Sequence, residues 1–302
     1  MYAPFFGLTQ EPFSIAPDPR YLFMSERHRE ALAHLVYGLQ AGGGFVLLTG
    51  EIGAGKTTVC RCFLEQIPRR CNVAYIFNPK LNTAELLQSI CDEFRIPLPE
   101  GASASLKTHV DALNEFLLKT HAVGQNNVLI IDEAQNLSPE VLEQLRLLTN
   151  LETEKRKLLQ VIVFGQPELE DKLNHPSIRQ LKQRIAFHYC LTPMVRDEVD
   201  FYVQHRLSIA GHTGGRLFTS GALWLLRKRT QCVPRLVNII AHKALLSAFG
   251  KGHKQVTFWD VKAAADDTNS TQRPYKKWGL VFLWMALAVG IVWLLMDKGL
   301  LK

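Results

Sequence analysis

No two cysteines in this sequence stand in a CxxC spacing, and none of its ten histidines falls in an HExxH pattern. The six cysteines (Cys60, Cys62, Cys71, Cys91, Cys190, Cys232) are scattered. Cys60 and Cys62 lie two apart in an expected helix and point in different directions. These absences argue against a cysteine- or histidine-built metal site and favour reduced, mostly buried thiols, as the cytoplasm keeps them. No ordering of Ser, His and Asp suggests a hydrolytic triad. Residues 1–6 lack a basic stretch followed by an apolar core, so no secretory leader is expected. Internal repeats and low-complexity tracts are absent as well. Acidic residues are scarce in one region only. Residues 1–200 carry 20 Lys/Arg and 24 Asp/Glu, whereas residues 201–302 carry 15 and 4. A basic C-terminal third suits contact with phosphate, whether of a nucleotide, a nucleic acid or an anionic lipid.

What is present centres on residues 45–58. The apolar run 45–48 predicts a buried parallel strand that leads into Gly50-Glu51-Ile52-Gly53-Ala54-Gly55-Lys56-Thr57-Thr58, a phosphate-binding loop pattern. Gly50, Gly53 and Gly55 let successive N–H groups face one concavity, which suits phosphate oxygens. Lys56 is placed to reach the β- and γ-phosphates of ATP, and the Thr57 hydroxyl to bind Mg²⁺. A helix is expected over 60–67. Further on, four aliphatic residues end in Asp132-Glu133, 76 positions after Lys56. Asp132 suits a Mg²⁺ held through water beside Thr57, and Glu133 suits a base that polarises the attacking water.

Other polar positions fall where such chemistry needs them. Gln166 ends the strand expected over 159–164 and is a candidate sensor of the γ-phosphate. Asn78 closes the strand expected over 73–77 and is placed to hydrogen-bond Glu133, turning it away. Arg184, immediately before a strand at 185–191, or Arg179 five residues earlier, can project toward a neighbouring subunit's γ-phosphate. Arg235, in Val233-Pro234-Arg235 at a helix start, can fold back onto the nucleotide. Strands alternate with helices up to residue 191, each strand a continuous apolar run, which predicts an α/β fold with a parallel sheet covered by helices on both faces. After Thr192-Pro193 the strand signals vanish, and helices are expected over 196–209, 220–228, 234–249 and 258–265.

Two ends complete the expected layout. Residues 1–25, rich in Pro and aromatic residues, read as an ordered, extended arm. Residues 278–296 run for 19 positions without a charge, behind Arg273, Lys276 and Lys277. That length suits one membrane-spanning helix, with the basic cluster keeping the larger part cytoplasmic. The expected division is therefore 1–25 arm, 26–191 ATPase core, 192–267 helical lid, 268–277 basic linker, 278–296 span and 297–302 short periplasmic tail.

Taken together, Phe5-Phe6-Gly7-Leu8, the run from Pro12 to Pro19, the loop from Gly50 to Thr58, Asp132-Glu133-Ala134-Gln135, Gly165-Gln166-Pro167-Glu168-Leu169 and Pro234-Arg235 resemble the ExeA/GspA family. These are inner-membrane AAA+ ATPases of the general (type II) secretion pathway. The resemblance covers about residues 1–267 and extends to the span. MSHA-pilus ATPases and transposition-helper ATPases share the core motifs, but the arm matches the secretion family more closely. The resemblance implies a P-loop AAA+ sheet in the order 5-1-4-3-2, a helical lid and a homo-oligomer. It also implies a GspB/ExeB-type partner and energy-dependent passage of a secretin through peptidoglycan. Two departures stand out. Family members usually continue into a periplasmic peptidoglycan-binding domain, which does not follow here, so direct peptidoglycan contact is not expected. Thr230-Gln231-Cys232-Val233 stands where the family usually has glycine, implying a stiffer lid hinge. A pilus-biogenesis or DNA-binding ATPase is the alternative; membrane anchoring argues against nucleic acid.

Overall fold

The computed structural model describes residues 2–15, 18–40, 44–77, 80–98, 105–153 and 157–268. The expected span at 278–296 and the contact expected from Asn78 lie outside these residues. Among the described residues no helix is long and apolar enough to cross a membrane.

Helix α1 (Glu26–Gln40) precedes strand β1 (Phe45–Gly50), and the chain then runs α2 (Lys56–Gln66), β2 (Cys71–Ile76), α3 (Thr83–Glu93), α4 (Leu106–Ala122), β3 (Asn126–Ile131) and α5 (Pro139–Leu148). Strand β4 (Gln160–Gly165), the short helices α6 (Pro167–Leu173) and α7 (Arg179–Lys182), and β5 (Ile185–Leu191) complete the sheet. Its order is β2-β3-β4-β1-β5, with every pairing parallel. This is the order the family resemblance implies.

The three central strands, β1, β3 and β4, are almost wholly buried, and their side chains alternate between two cores. Phe45, Leu47, Leu129, Ile131, Val161 and Val163 pack toward α3, α4 and α5. Val46, Leu48, Val128, Ile130, Ile162 and Phe164 pack toward α1 and α2. A strand buried on both faces needs apolar residues at every position, which is why these runs do not alternate in sequence. The edge strand β5 does alternate, half-buried then exposed. Both β2 and β3 begin earlier than their aliphatic runs, because polar residues join the ladder. Asn127 is buried, donating to Thr120 at 2.8 Å and accepting from Asn72 at 2.9 Å, so its amide meets partners inside the fold.

A third core joins four helices, α8 (Arg196–Ile209), α9 (Ser220–Thr230), α10 (Pro234–Gly250) and α11 (Phe258–Asp266), to the start of the chain. Tyr2, Phe6, Leu8, Phe13 and Tyr21 are buried in it. The N-terminal residues are therefore not extended. Three-residue 3-10 turns at Pro4–Phe6 and Pro19–Tyr21 fold them onto the helices, because five large apolar side chains gain more by burial than an extended strap can supply. Arg206 of α8 fastens the arrangement: buried, it donates to the carbonyls of Pro12 at 2.6 Å and Ser14 at 3.2 Å.

The turn between α9 and α10 is strained. Gln231 (φ 50°, ψ 30°) and Cys232 (φ 63°) both lie in the left-handed region without being glycine. Each such residue costs roughly 1 kcal/mol. Gln231→Gly is expected to raise stability by about 0.5 kcal/mol, relief of strain less the added freedom of the unfolded chain. Urea denaturation measures this, and a fall in stability would show that the turn is not strained at that position.

Candidate nucleotide-binding site

The loop between β1 and α2 turns with Gly53 and Gly55 at φ 81° and 105°. Both positions also exclude a side chain. A Cβ at Gly53 would lie 2.5 Å from the Cβ of Arg235, and one at Gly55 2.2 Å from Nε2 of His28. At Gly50 the obstacle would be the carbonyl of Leu191, at 2.6 Å. Helix α2 starts at Lys56, four residues earlier than its apolar run suggests, so its first N–H groups point into the loop.

Lys56 is buried, and its ammonium donates to the carbonyls of Gly50 at 2.8 Å and Glu51 at 3.2 Å. Burial pushes its pKa down, against the pull of the Glu133 and Asp132 carboxylates. Ala54 is buried at the base of the loop, Ile52 is exposed, and Thr58 lines the same cavity as Thr57. Asp132, just after β3, is wholly buried. One carboxylate oxygen lies 3.5 Å from the Thr57 hydroxyl and 3.4 Å from the Tyr75 hydroxyl; the other accepts from the N–H of Glu133 at 2.9 Å. Burial raises the pKa of Asp132 and the Glu133 N–H opposes the rise.

Glu133 itself sits in a left-handed conformation, φ 56° and ψ 37°, which is uncommon for a glutamate. Its carboxylate accepts from the side chains of Gln135 and Gln166, the latter at 3.1 Å. Gln166, expected at a terminal phosphate, is thus bound to Glu133, and its backbone N–H donates to Gln135 at 3.1 Å. Gln135 thus holds the glutamate from within its own turn, while Asn78 lies outside the described residues.

A cavity of about 430 Å³ joins these groups. Lys56, Thr57, Glu133 and Gln166 lie along it, and Arg235 reaches it from the start of α10. The far wall comes from the N-terminal arm, with Tyr21 and Phe23, and from α8 and α10, with Tyr202 and Asn238. Sequence reasoning missed this wall, whose two sides are separated by roughly 200 positions in the chain. It also missed His28. This buried histidine contacts the Ala54 carbonyl through Nε2 at 3.1 Å and the Ser25 hydroxyl through Nδ1 at 2.6 Å, and burial lowers its pKa. A neutral imidazole with its proton on Nε2 satisfies both contacts and braces the loop from beneath.

Arg184 and Arg179 do not join the site. Pairing of Phe45 with Ile185 and Gly50 with Leu191 puts Arg184 at the opposite end of β5 from the loop, roughly 20 Å away. Both arginines are exposed.

A parallel sheet in this order, a glycine loop feeding a helix, and an Asp-Glu pair with its aspartate buried at the end of the adjacent strand but one define the AAA class of P-loop ATPases. A family model described as an AAA domain matches residues 39–173. General secretion pathway protein A of Aeromonas hydrophila is 52% identical over 265 residues, covering 88% of this chain and 48% of that protein. The chain belongs to the ExeA/GspA family and spans about half the length of this curated relative. Solved structures share the fold at low identity. Cdc6p of Pyrobaculum aerophilum superimposes with a TM-score of 0.63 at 19% identity, over 85% of this chain and 70% of that one. The Aeropyrum pernix ORC2 protein, in ADPNP-ADP complexes, gives 0.60 at 16%, over 89% and 74%. The Thermotoga maritima RuvB branch migration motor gives 0.52 at 16%, over 83% and 72%.

Proposed function

We propose that this chain is a membrane-anchored ATPase that hydrolyses ATP to drive assembly or passage of a secretion machine through the cell envelope. The convergence of Lys56, Thr57, Glu133 and Gln166 along one cavity, with Asp132 buried 3.5 Å from the Thr57 hydroxyl, carries the hydrolytic reading. The secretion reading rests on the identity to the Aeromonas protein.

In this reading the loop N–H groups from Gly50 to Thr58 hold the phosphates and Lys56 leaves its loop carbonyls for the terminal two. Tyr21, Phe23 and Tyr202 flank the base, and Arg235 reports on the γ-phosphate. Thr57 and Asp132 offer oxygen donors only, which suits a hard divalent cation such as Mg²⁺. When bound there, Mg²⁺ supplies charge neutralisation for the phosphate oxygens. Among the described residues no cluster of three His, Cys, Asp or Glu could complete a metal site alone, so phosphate and water must contribute the remaining ligands. Glu133 takes a proton from the attacking water once Gln166 and Gln135 release its carboxylate. The division into arm, core (26–191), lid (192–267), linker (268–277) and span (278–296) is part of the same proposal. So are a single-pass inner-membrane location, a cytoplasmic ATPase, a GspB-type membrane partner and a homo-oligomer.

Lys56→Ala tests the reading most directly. Loss of the buried ammonium is expected to weaken binding of ATP at least about 100-fold, since a charge-assisted contact to phosphate is worth several kcal/mol in a dry site. Titration with a fluorescent ATP analogue measures it; unchanged affinity would overturn the assignment of this cavity to nucleotide.

A further inference from the structure

One face of the four-helix unit is unlike the rest of the surface. Trp224 on α9 and Trp259 at the start of α11 are exposed, at 51% and 65%. Phe258 lies between them: its ring stacks on Trp224 with centroids 6.4 Å apart and meets Trp259 edge-on at 5.4 Å. A lysine stands over each indole, Lys228 at 4.8 Å from the Trp224 centroid and Lys262 at 5.2 Å from that of Trp259. Neither lysine forms an ion pair among the described residues. The nearby acids are engaged elsewhere, Asp266 with Arg229 at 2.6 Å, and Asp260, fully buried, with Lys251 at 2.7 Å. Residues 211–268 carry nine Lys/Arg against three Asp. The patch is aromatic, cationic and without a free carboxylate.

We propose that this face of α9 and α11 docks on an anionic lipid surface. Indole rings favour the headgroup region, where one edge is apolar and the other wet. Lysines beside them can lay their stems along the rings and extend their ammonium groups to lipid phosphates. Chain connectivity brings such a surface close. Only nine residues separate Thr268 from the uncharged run at 278–296, and Arg273, Lys276 and Lys277 lie among them. Even fully extended, that tether holds Thr268, just past the end of α11, within about 35 Å of the bilayer. This argument rests on the membrane-anchored reading. A single-stranded nucleic acid also meets aromatic and basic groups, but it stacks on free ring faces. Here each indole has a face already covered by a lysine.

The full chain with Trp278, Trp284 and Trp293 changed to phenylalanine keeps Trp224 and Trp259 as its only tryptophans. It is reconstituted in phosphatidylcholine vesicles brominated near the headgroup, with or without about a third phosphatidylglycerol. Docking predicts fluorescence at least about twofold lower in the anionic vesicles, restored by high salt and by Lys228→Glu with Lys262→Glu. Trp224→Phe and Trp259→Phe, each leaving one reporter, should both keep the difference. Equal emission in the two vesicle types overturns the proposal, as does quenching untouched by the charge reversals. A shift in emission on adding oligo(dT), in place of quenching by anionic lipid, makes the face a nucleic-acid surface instead. Flotation after carbonate washing is read separately. Firm flotation without quenching leaves the anchoring intact and ends the docking; quenching without firm flotation does the reverse.

Discussion

Arg184→Ala is expected to bind ATP normally yet hydrolyse it roughly 10³-fold or more slowly at every protein concentration. The reason is positional. Lys56, Thr57 and Glu133 line one cavity, and the arginines that line it among the described residues are Arg206, bonded to the N-terminal carbonyls, and Arg235. Arg235 comes from the other side, beside Gly53. Arg184 is exposed at the far end of β5, the edge strand of the sheet, where a second copy of the chain can present its own loop. Activity per subunit should therefore rise with protein concentration. Mixing Arg184→Ala with Lys56→Ala should restore part of it, because a mixed interface can combine an intact loop with an intact arginine. Flat specific activity from monomer to oligomer would refute site sharing. A defect confined to Arg179→Ala would move the role one short helix earlier.

Glu133→Gln should keep nucleotide affinity and lose at least about 100-fold in turnover. The amide cannot take a proton from water, while its shape fills the same space. A second signature separates this from simple loss of fold. The Glu133 carboxylate accepts from the Gln166 side chain at 3.1 Å, so Gln166→Ala should loosen the glutamate and alter turnover while leaving binding intact. The pair can be compared by burst kinetics and by equilibrium titration. Wild-type turnover in Glu133→Gln would remove the general base from the scheme.

The site was legible wherever function demanded a contiguous signature. The glycine loop, the strand ending in Asp132-Glu133 and the strand at Ile185–Leu191 could be read from residue order alone, because backbone geometry and charge act there over a few positions. Strand β3 was read two residues short because Asn126 and Asn127 are polar, and only the fold supplies Thr120 and Asn72 as partners. The opening residues misled for a related reason. Pro-rich, aromatic sequence is compatible with an extended strap, and nothing local announces that Tyr2 and Phe13 have a core waiting on helices some 200 positions away. His28 carried no motif. Its role as a brace exists only where α1 passes beneath Ala54.

The Arg206 clamp has a consequence for how the chain comes into being. Its partners, the carbonyls of Pro12 and Ser14, are 194 and 192 residues away. At ordinary translation rates, the N-terminal residues leave the ribosome roughly 10–40 s before α8 exists. For that interval Tyr2, Phe6, Leu8 and Phe13 have no core to enter, though the sheet can already close around β1. Such non-local closure is slow and leaves apolar surface open to self-association. Helices made some 190 positions later are thus what shelter these residues, and a chaperone engaged early on this protein would be expected to hold that segment and release it only when Arg206 arrives.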